Sequence, residues 1–450
     1  MAQHPLAFLR TSAGMSHPAY ARLIAETHAE LGFGNMAARR EKVSRWESGR
    51  TVPELGTQLA MAHVHRVSEK DVRRLGWPHW LHLATDDDAL LEQPWTPQGA
   101  ISATRRTAQP GREGTRSYLA VTGPVLEAQI KKALAALASP QQPPAQDGHF
   151  VNPDRLAGIE ARTRALEVQG AGSSATPMTL HHAARAGHRL VGRLLATGGY
   201  DRPTGTRLLL LATRTAALCG YFNSCLGDEA GAERYDLTAI RSAAAAGSRR
   251  HAAACMSRLA ILHLIAGDAR DALSLVNAAQ SLTPRPSPRF DAFLLAREAL
   301  ALARLGEARR STQALDRATA LVTGAPDEGP PTDGFGFGIG IDEGHLNFGY
   351  GYAWHYLGDQ KKALAHFAPF LAPSTAQVPP RTARRLLYVV DAHLSLGDLD
   401  AAVDSAYRAV DLIGSLPPGL ADQYRRRFVP YLAEAPVSDL LPHLADHPAS

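Results

Sequence analysis

The chain has 450 residues, 45% apolar and only 6% aromatic, with three cysteines and a formal charge of +5. That is more apolar material than one ordinary domain buries, so two or more units are expected, and abundant alanine and leucine favour helices packed through small side chains over sheets. No apolar run reaches the ~18 residues of a membrane span, no basic stretch leading into an apolar one opens the chain, and the charge is too dispersed to identify an anionic partner by itself; a cytoplasmic protein without membrane contact is expected.

Residues 1–80 read as five short helices in one compact unit. Leu6, Phe8 and Leu9 mark the first, Tyr20, Leu23 and Ile24 the second, Val43 and Trp46 the third, and Leu55, Leu59 and Val67 open the remainder. In the third, Val43 and Trp46 stand three apart on one face, leaving Arg40, Glu41, Lys42, Ser44 and Arg45 for the N-terminal and outer surface. Gly49 suits a C-cap, Arg50 lies where a phosphate could pass, and Pro53 suits the first turn of the next helix.

This run resembles the recognition helix of XRE-type, phage-repressor-like helix-turn-helix proteins, with Val43, Trp46, Glu47, Ser48 and Gly49 at the pattern positions. Ahead of it, Ser16 as N-cap and Tyr20-Ala21 resemble that family's second helix. The resemblance implies binding of double-stranded DNA, with Arg40, Glu41, Lys42, Ser44 and Arg45 presented to the major groove and Arg39 and Arg50 towards phosphates. In this position Glu47 more often bonds within the domain than touches DNA. The segment Arg22 to Arg39 is about a dozen residues longer than in compact phage repressors, so either the second helix is extended or Gly32-Phe33-Gly34 forms a loop.

From Trp77 to Arg116 periodicity fades among Asp86-Asp87-Asp88, Pro94, Pro97, Pro110 and glycines, and residues 81–117 are expected to be a linker without a long helix. Residues 118–149 hold a helix over Tyr118 to Leu137 followed by the spacer Ser139-Pro140-Gln141-Gln142-Pro143-Pro144-Ala145.

Residues 150–450 repeat. A small apolar stretch, Gly-Asp or Gly-Glu, then alanine four residues after the acid recurs at Gly227-Asp228, Gly267-Asp268, Gly306-Glu307, Gly358-Asp359 and Gly397-Asp398. Ala232, Ala272, Ala363 and Ala402 allow close helix approach, and Ser311 takes that place in the third unit. These features resemble tetratricopeptide repeats, although the spacing of 39 to 40 residues, with one longer interval before Gly358, exceeds the ~34 of the standard repeat. The predicted fold is all-α, a small helix-turn-helix domain followed by an α-solenoid. Within the longer interval, Asp327 to Pro331 and the alternating glycines Gly334 to Gly340 predict a surface loop, since neither Gly-Lys-Ser/Thr nor a preceding strand supports a phosphate-binding loop.

The whole resembles the actinobacterial helix-turn-helix regulators with tetratricopeptide sensor regions, whose Arg-x-Phe-Leu-x-x-x-Gly stretch is approximated by Arg116 to Gly123. The resemblance implies a transcriptional regulator, of development or secondary metabolism, whose repeats take a peptide, a small-molecule effector or a protein partner; because one helix-turn-helix reads few base pairs, a homodimer formed mainly through residues C-terminal to the linker is expected. Asn223, His263, Trp354 and His393, four or five residues before a turn glycine, are the candidate effector groove; the competing reading makes them packing positions. A protein-interaction scaffold without specific DNA binding is the alternative function. No enzyme activity, cofactor or metal is expected: His181, His182 and His188 lack an acidic partner at metal-site spacing, and Cys219, Cys225 and Cys255 read as buried thiols.

Overall fold

A computed structural model describes residues 4–65, 67–84, 88–109, 119–172, 177–283, 287–324, 343–371 and 379–444. The described chain is all-α apart from one short ladder. The first unit comprises α1 (Pro5–Ser12), α2 (His17–Glu30), α3 (Arg40–Glu47), α4 (Leu55–Val64) and α5 (Glu69–Leu75), closed by a 3-10 turn at His79–Ala84. Leu6, Tyr20, Ile24, Val43, Trp46, Met61, Val72 and Trp80 form its own core. Ser16 caps α2 as the sequence predicts, its Oγ accepting from Ala19 N at 3.3 Å. Both options for the long segment before α3 hold: α2 runs on to Glu30, and the chain then loops through Gly32 and Gly34 at positive φ.

The short helix α6 (Asp88–Leu91) precedes α7 (Pro97–Ala108), which lies inside the expected linker. The proline and glycine that read as breakers instead start a helix. Pro97 occupies its first turn, Thr96 caps it by accepting from Gly99 N at 3.2 Å, and a Cβ at Gly99 would collide with the backbone oxygen of Pro94. α7 packs on helices of the repeat region, as does α8 (Gly123–Ala138), so that region draws in residues well ahead of 150. The spacer after α8 is non-helical as predicted and leads to β1 (His149–Phe150), which pairs in parallel with β2 (Gly198–Gly199). Between them run α9 (Pro153–Gly172) and α10 (Pro177–Thr197).

Five helical hairpins follow, each closed by one of the predicted turns: α11 (Arg202–Cys225) with α12 (Glu229–Ala245), α13 (Arg249–Ala266) with α14 (Ala269–Leu282), α15 (Pro288–Arg304) with α16 (Ala308–Gly324), α17 (Glu343–Tyr356) with α18 (Gln360–Leu371), and α19 (Pro379–Ser395) with α20 (Leu399–Ile413). Consecutive pairs stack as in a helical repeat array. Asp228, Asp268, Asp359 and Asp398 accept from backbone N–H groups in the first turn of the second helix, which is why an acid follows each of these glycines. Ala232, Ala272, Ala363 and Ala402 are fully buried between paired helices. Ser311 fits the same place because its hydroxyl donates to Ala299 O on the facing helix at 2.8 Å. The predicted loop around Asp327 to Gly340 lies outside the described residues.

The array bends until its ends meet. After α20 come α21 (Pro418–Phe428) and the short α22 (Ala435–Leu440), and α21 seats against the first hairpin turn. Gly227, at φ +81°, approaches the backbone of Gly419 and Leu420 so closely that a Cβ would collide with it. Glu229 joins the two ends, accepting from Arg384 of α19 at 2.7 Å and from Gln423 of α21 at 2.8 Å. One hydrophobic core runs through all five hairpins and α21.

Candidate functional sites

The first site is the outer face of α3. Its buried side is fixed by Val43 and Trp46. Glu47, at its last turn, receives Arg10 Nε at 2.6 Å and Arg10 Nη2 at 3.1 Å, with His17 Nε2 at 2.9 Å, so it ties α1, α2 and α3 together as the sequence suggested. The helix ends in a left-handed Gly49, φ +70°, whose N–H donates to Trp46 O while Arg50 N donates to Arg45 O. The opposite side presents Arg39, Arg40, Glu41, Ser44, Arg45 and Arg50 exposed and Lys42 half-buried. Five cations and one carboxylate thus share a face with no core role. Glu41 accepts from Arg40 Nε at 3.1 Å, and that bond, after the backbone's own contribution, holds its carboxyl below the usual range.

The second site is a cavity of about 200 Å³ at the centre of the closed array. Each first helix of the five hairpins contributes to its wall. The signal for it is periodic: Tyr221, Ile261, Leu300 and Tyr352 stand six residues before their turn glycines, and Arg258, Arg297 and Tyr388 nine before theirs, one helical turn further back on the same face. Five arginines line it, Arg258, Arg297, Arg381, Arg384 and Arg385, against one carboxylate, Asp236. Asp236 is taken by Arg258, whose Nη2 donates to it at 3.1 Å; burial nonetheless pushes the Asp236 carboxyl up to about 6. A more polar chamber of about 660 Å³ shares Ile265, Arg384 and Tyr388 with the cavity wall and reaches Glu229, Asp391 and Arg427 at the closure.

The four residues predicted for an effector groove line neither chamber. They do occupy equivalent places, at the hairpin turns. The carbonyls of Asn223, Trp354 and His393 accept the N–H of the capping aspartate, and that of His263 accepts from Gly267 N. Asn223 is buried with its Nδ2 donating to Cys219 O, and Lys362 lies 4.3 Å over the Trp354 ring. His393 is half-buried with Nδ1 3.6 Å from Asp398. His263 is fully buried, and desolvation pulls it down to about 3. The backbone carbonyls of all four residues thus serve the hairpin turns.

The histidines and cysteines have packing surroundings. His188 is enclosed, with Thr107 Oγ1 at 2.9 Å from Nε2 and Thr215 Oγ1 at 3.1 Å from Nδ1. Cys219, Cys225 and Cys255 are buried free thiols. Among the described residues no three His, Cys, Asp or Glu side chains converge on a metal-sized site, and no helix is long and apolar enough to cross a membrane.

A joint connects the two sites. The stretch 119–123 is held by carboxylates of the repeat array: Glu233 accepts from Ala120 N at 2.8 Å and Val121 N at 2.9 Å, and Asp271 accepts from Gly123 N at 2.9 Å. Thr122 Oγ1 lies 3.2 Å from His79 Nδ1, in the 3-10 turn of the first unit. Arg116, Ser117 and Tyr118 of the stretch singled out in the sequence are outside the described residues. No known family model matches the chain, and no curated protein matches it either.

Proposed function

We propose that the chain is a sequence-specific DNA-binding transcriptional regulator of the XRE type, acting as a homodimer, with a tetratricopeptide-like array as its regulatory part. The observation that carries this reading is the α3 face, where Arg39, Arg40, Arg45 and Arg50 are exposed, with Lys42 half-buried among them, on a helix anchored from behind by Val43, Trp46 and Glu47. Rigid support behind a cationic helix is what major-groove docking requires, because bidentate arginine-to-guanine contacts tolerate little play. Arg40 and Arg45 read bases and Arg39 and Arg50 meet phosphates in this proposal. One such helix reads few base pairs, so two copies on symmetric half-sites supply operator-level specificity.

The test is selection of a preferred DNA sequence by the full chain, followed by mobility-shift titrations. Arg40→Ala and Arg45→Ala each weaken operator binding by about 1–3 kcal/mol and relax preference at one position. Arg39→Ala and Arg50→Ala weaken all sequences alike and flatten the salt dependence. Light scattering of the full chain at micromolar concentration gives the mass of a dimer. Absence of any sequence preference would leave an interaction scaffold built on the same array.

A further inference from the structure

The central cavity combines features that packing alone does not require. Arg297 projects from α15 with its guanidinium carbon 4.8 Å from the centre of the Phe293 ring, and its Nε is buried without a hydrogen-bond partner. Arg381, from α19, likewise has a buried, unpartnered Nε. Among the described residues no carboxylate pairs with either, whereas Arg258 has Asp236 and Arg384 has Glu229. Desolvation holds the Arg297 guanidinium down at about 10, with the positive charges of Arg258 and Arg381 adding to the effect. The Arg297 and Arg381 side chains are both half-buried with Nε shut off from water, and a desolvated guanidinium without a carboxylate costs free energy, so its retention calls for a counter-charge that arrives from outside.

Much of the remaining wall is apolar or aromatic. Phe293, Phe348, Tyr352 and Tyr388 face the same space as Ile261 and Leu300. Arg385 already lies 4.3 Å over the Phe348 ring, which leaves guanidinium and aromatic surfaces side by side. A cavity of roughly 150 Å³ accepts benzene, so this one, at about 200 Å³, holds one ring or a branched chain together with one acid group.

We infer that the cavity enclosed by α11, α13, α15, α17 and α19 is a binding site for a small organic acid, its anionic group on Arg297 and Arg381 and its apolar body against Phe293, Phe348 and Tyr352. Charge selects the ligand, because the site holds cations in search of a partner and guanidinium groups bind carboxylate or phosphate through paired, charge-assisted bonds. Size and aromatic lining select the body. Since the ligand would bridge α15 and α19, which belong to different hairpins, its binding tightens the closed array. The site stands independently of DNA binding, and its test uses no DNA.

The experiment titrates the full chain with benzoate and phenyl phosphate by calorimetry and ligand-observed NMR, with benzyl alcohol and inorganic phosphate as the neutral and bodiless counterparts. Both aryl anions are expected to saturate one site per chain and to compete with each other, and the two counterparts to bind at least tenfold more weakly. Arg297→Met and Arg381→Met are each expected to weaken the aryl anions by about tenfold or more. Neither should lower the melting temperature of the unliganded protein, because each removes a half-buried guanidinium that no carboxylate pairs with and keeps an apolar stem. The inference is overturned if neither aryl anion binds at millimolar concentration, if benzyl alcohol binds as well as benzoate, or if both variants retain wild-type affinity. A lower melting temperature in both variants, with no anion bound by the wild type, would assign the arginines to the fold alone.

Discussion

Replacing Glu47 by alanine removes the carboxylate that holds three helices of the first unit. In the wild type Arg10, 7% exposed, gives Nε and Nη2 to Glu47 and Nη1 to Met15 O at 2.6 Å. After the substitution only the Met15 carbonyl and the His17 ring remain near the guanidinium. Breaking a buried pair from one side costs about 3–5 kcal/mol, because the surviving charge stays desolvated. The Met15 bond, which persists, places Glu47→Ala near the lower end, at about 3 kcal/mol. A unit of this size has little stability in reserve, so the N-terminal helices should unfold well before the array.

Urea denaturation read by tryptophan fluorescence checks this, in a Trp95→Phe/Trp354→Phe background where only Trp46, Trp77 and Trp80 of the first unit report. The expected result is a lower midpoint for that signal with far-ultraviolet helicity of the array retained. Adding Arg10→Met to Glu47→Leu should recover most of the loss, since neither charge is then stranded. A Glu47→Ala midpoint displaced by less than the equivalent of about 1 kcal/mol would refute the assignment of Glu47 as the buried brace of α3.

His188 should make the array acid-sensitive. Burial lowers its pKa to about 4 from the ordinary 6.5, so the unfolded chain takes the proton first; the stabilisation is complete above 6.5 and is lost progressively as pH falls to 4, up to about 3 kcal/mol. His188→Gln should flatten that decline relative to wild type in melting curves from pH 7 to 4, whereas Asp236, raised by burial to about 6, works in the opposite sense in both proteins. Gly227→Ala should destabilise the array more than Gly306→Ala: both positions have left-handed backbone, at φ +81° and +79°, but only Gly227 also faces a backbone clash, with Gly419. About 1 kcal/mol is expected for Gly306→Ala; equal losses in thermal unfolding would mean that the ends of the array do not press together.

Local chemistry was legible in the sequence wherever neighbouring residues in the chain complete the interaction. Four of the five hairpin turns follow from glycine beside an aspartate that caps the next helix, and Ser16, Gly49, Val43 and Trp46 follow from capping and helical spacing. α7 was missed for a related reason: Pro97 and Gly99 are read as breakers unless the contact of Gly99 with Pro94 is known. The cavity depended on information the chain order does not carry. That the repeat curves until Glu229 meets Arg384 and Gln423 is a sum of small rotations between hairpins, and only then do Arg297 and Arg381, 84 positions apart, face one space. The sequence alone determined the repeating unit, its turns and the split between buried and exposed faces of α3, because those rest on interactions within a few residues. Only the tertiary structure decided which side of each first helix looks inward, because curvature is a property of the whole array and no single hairpin contains it.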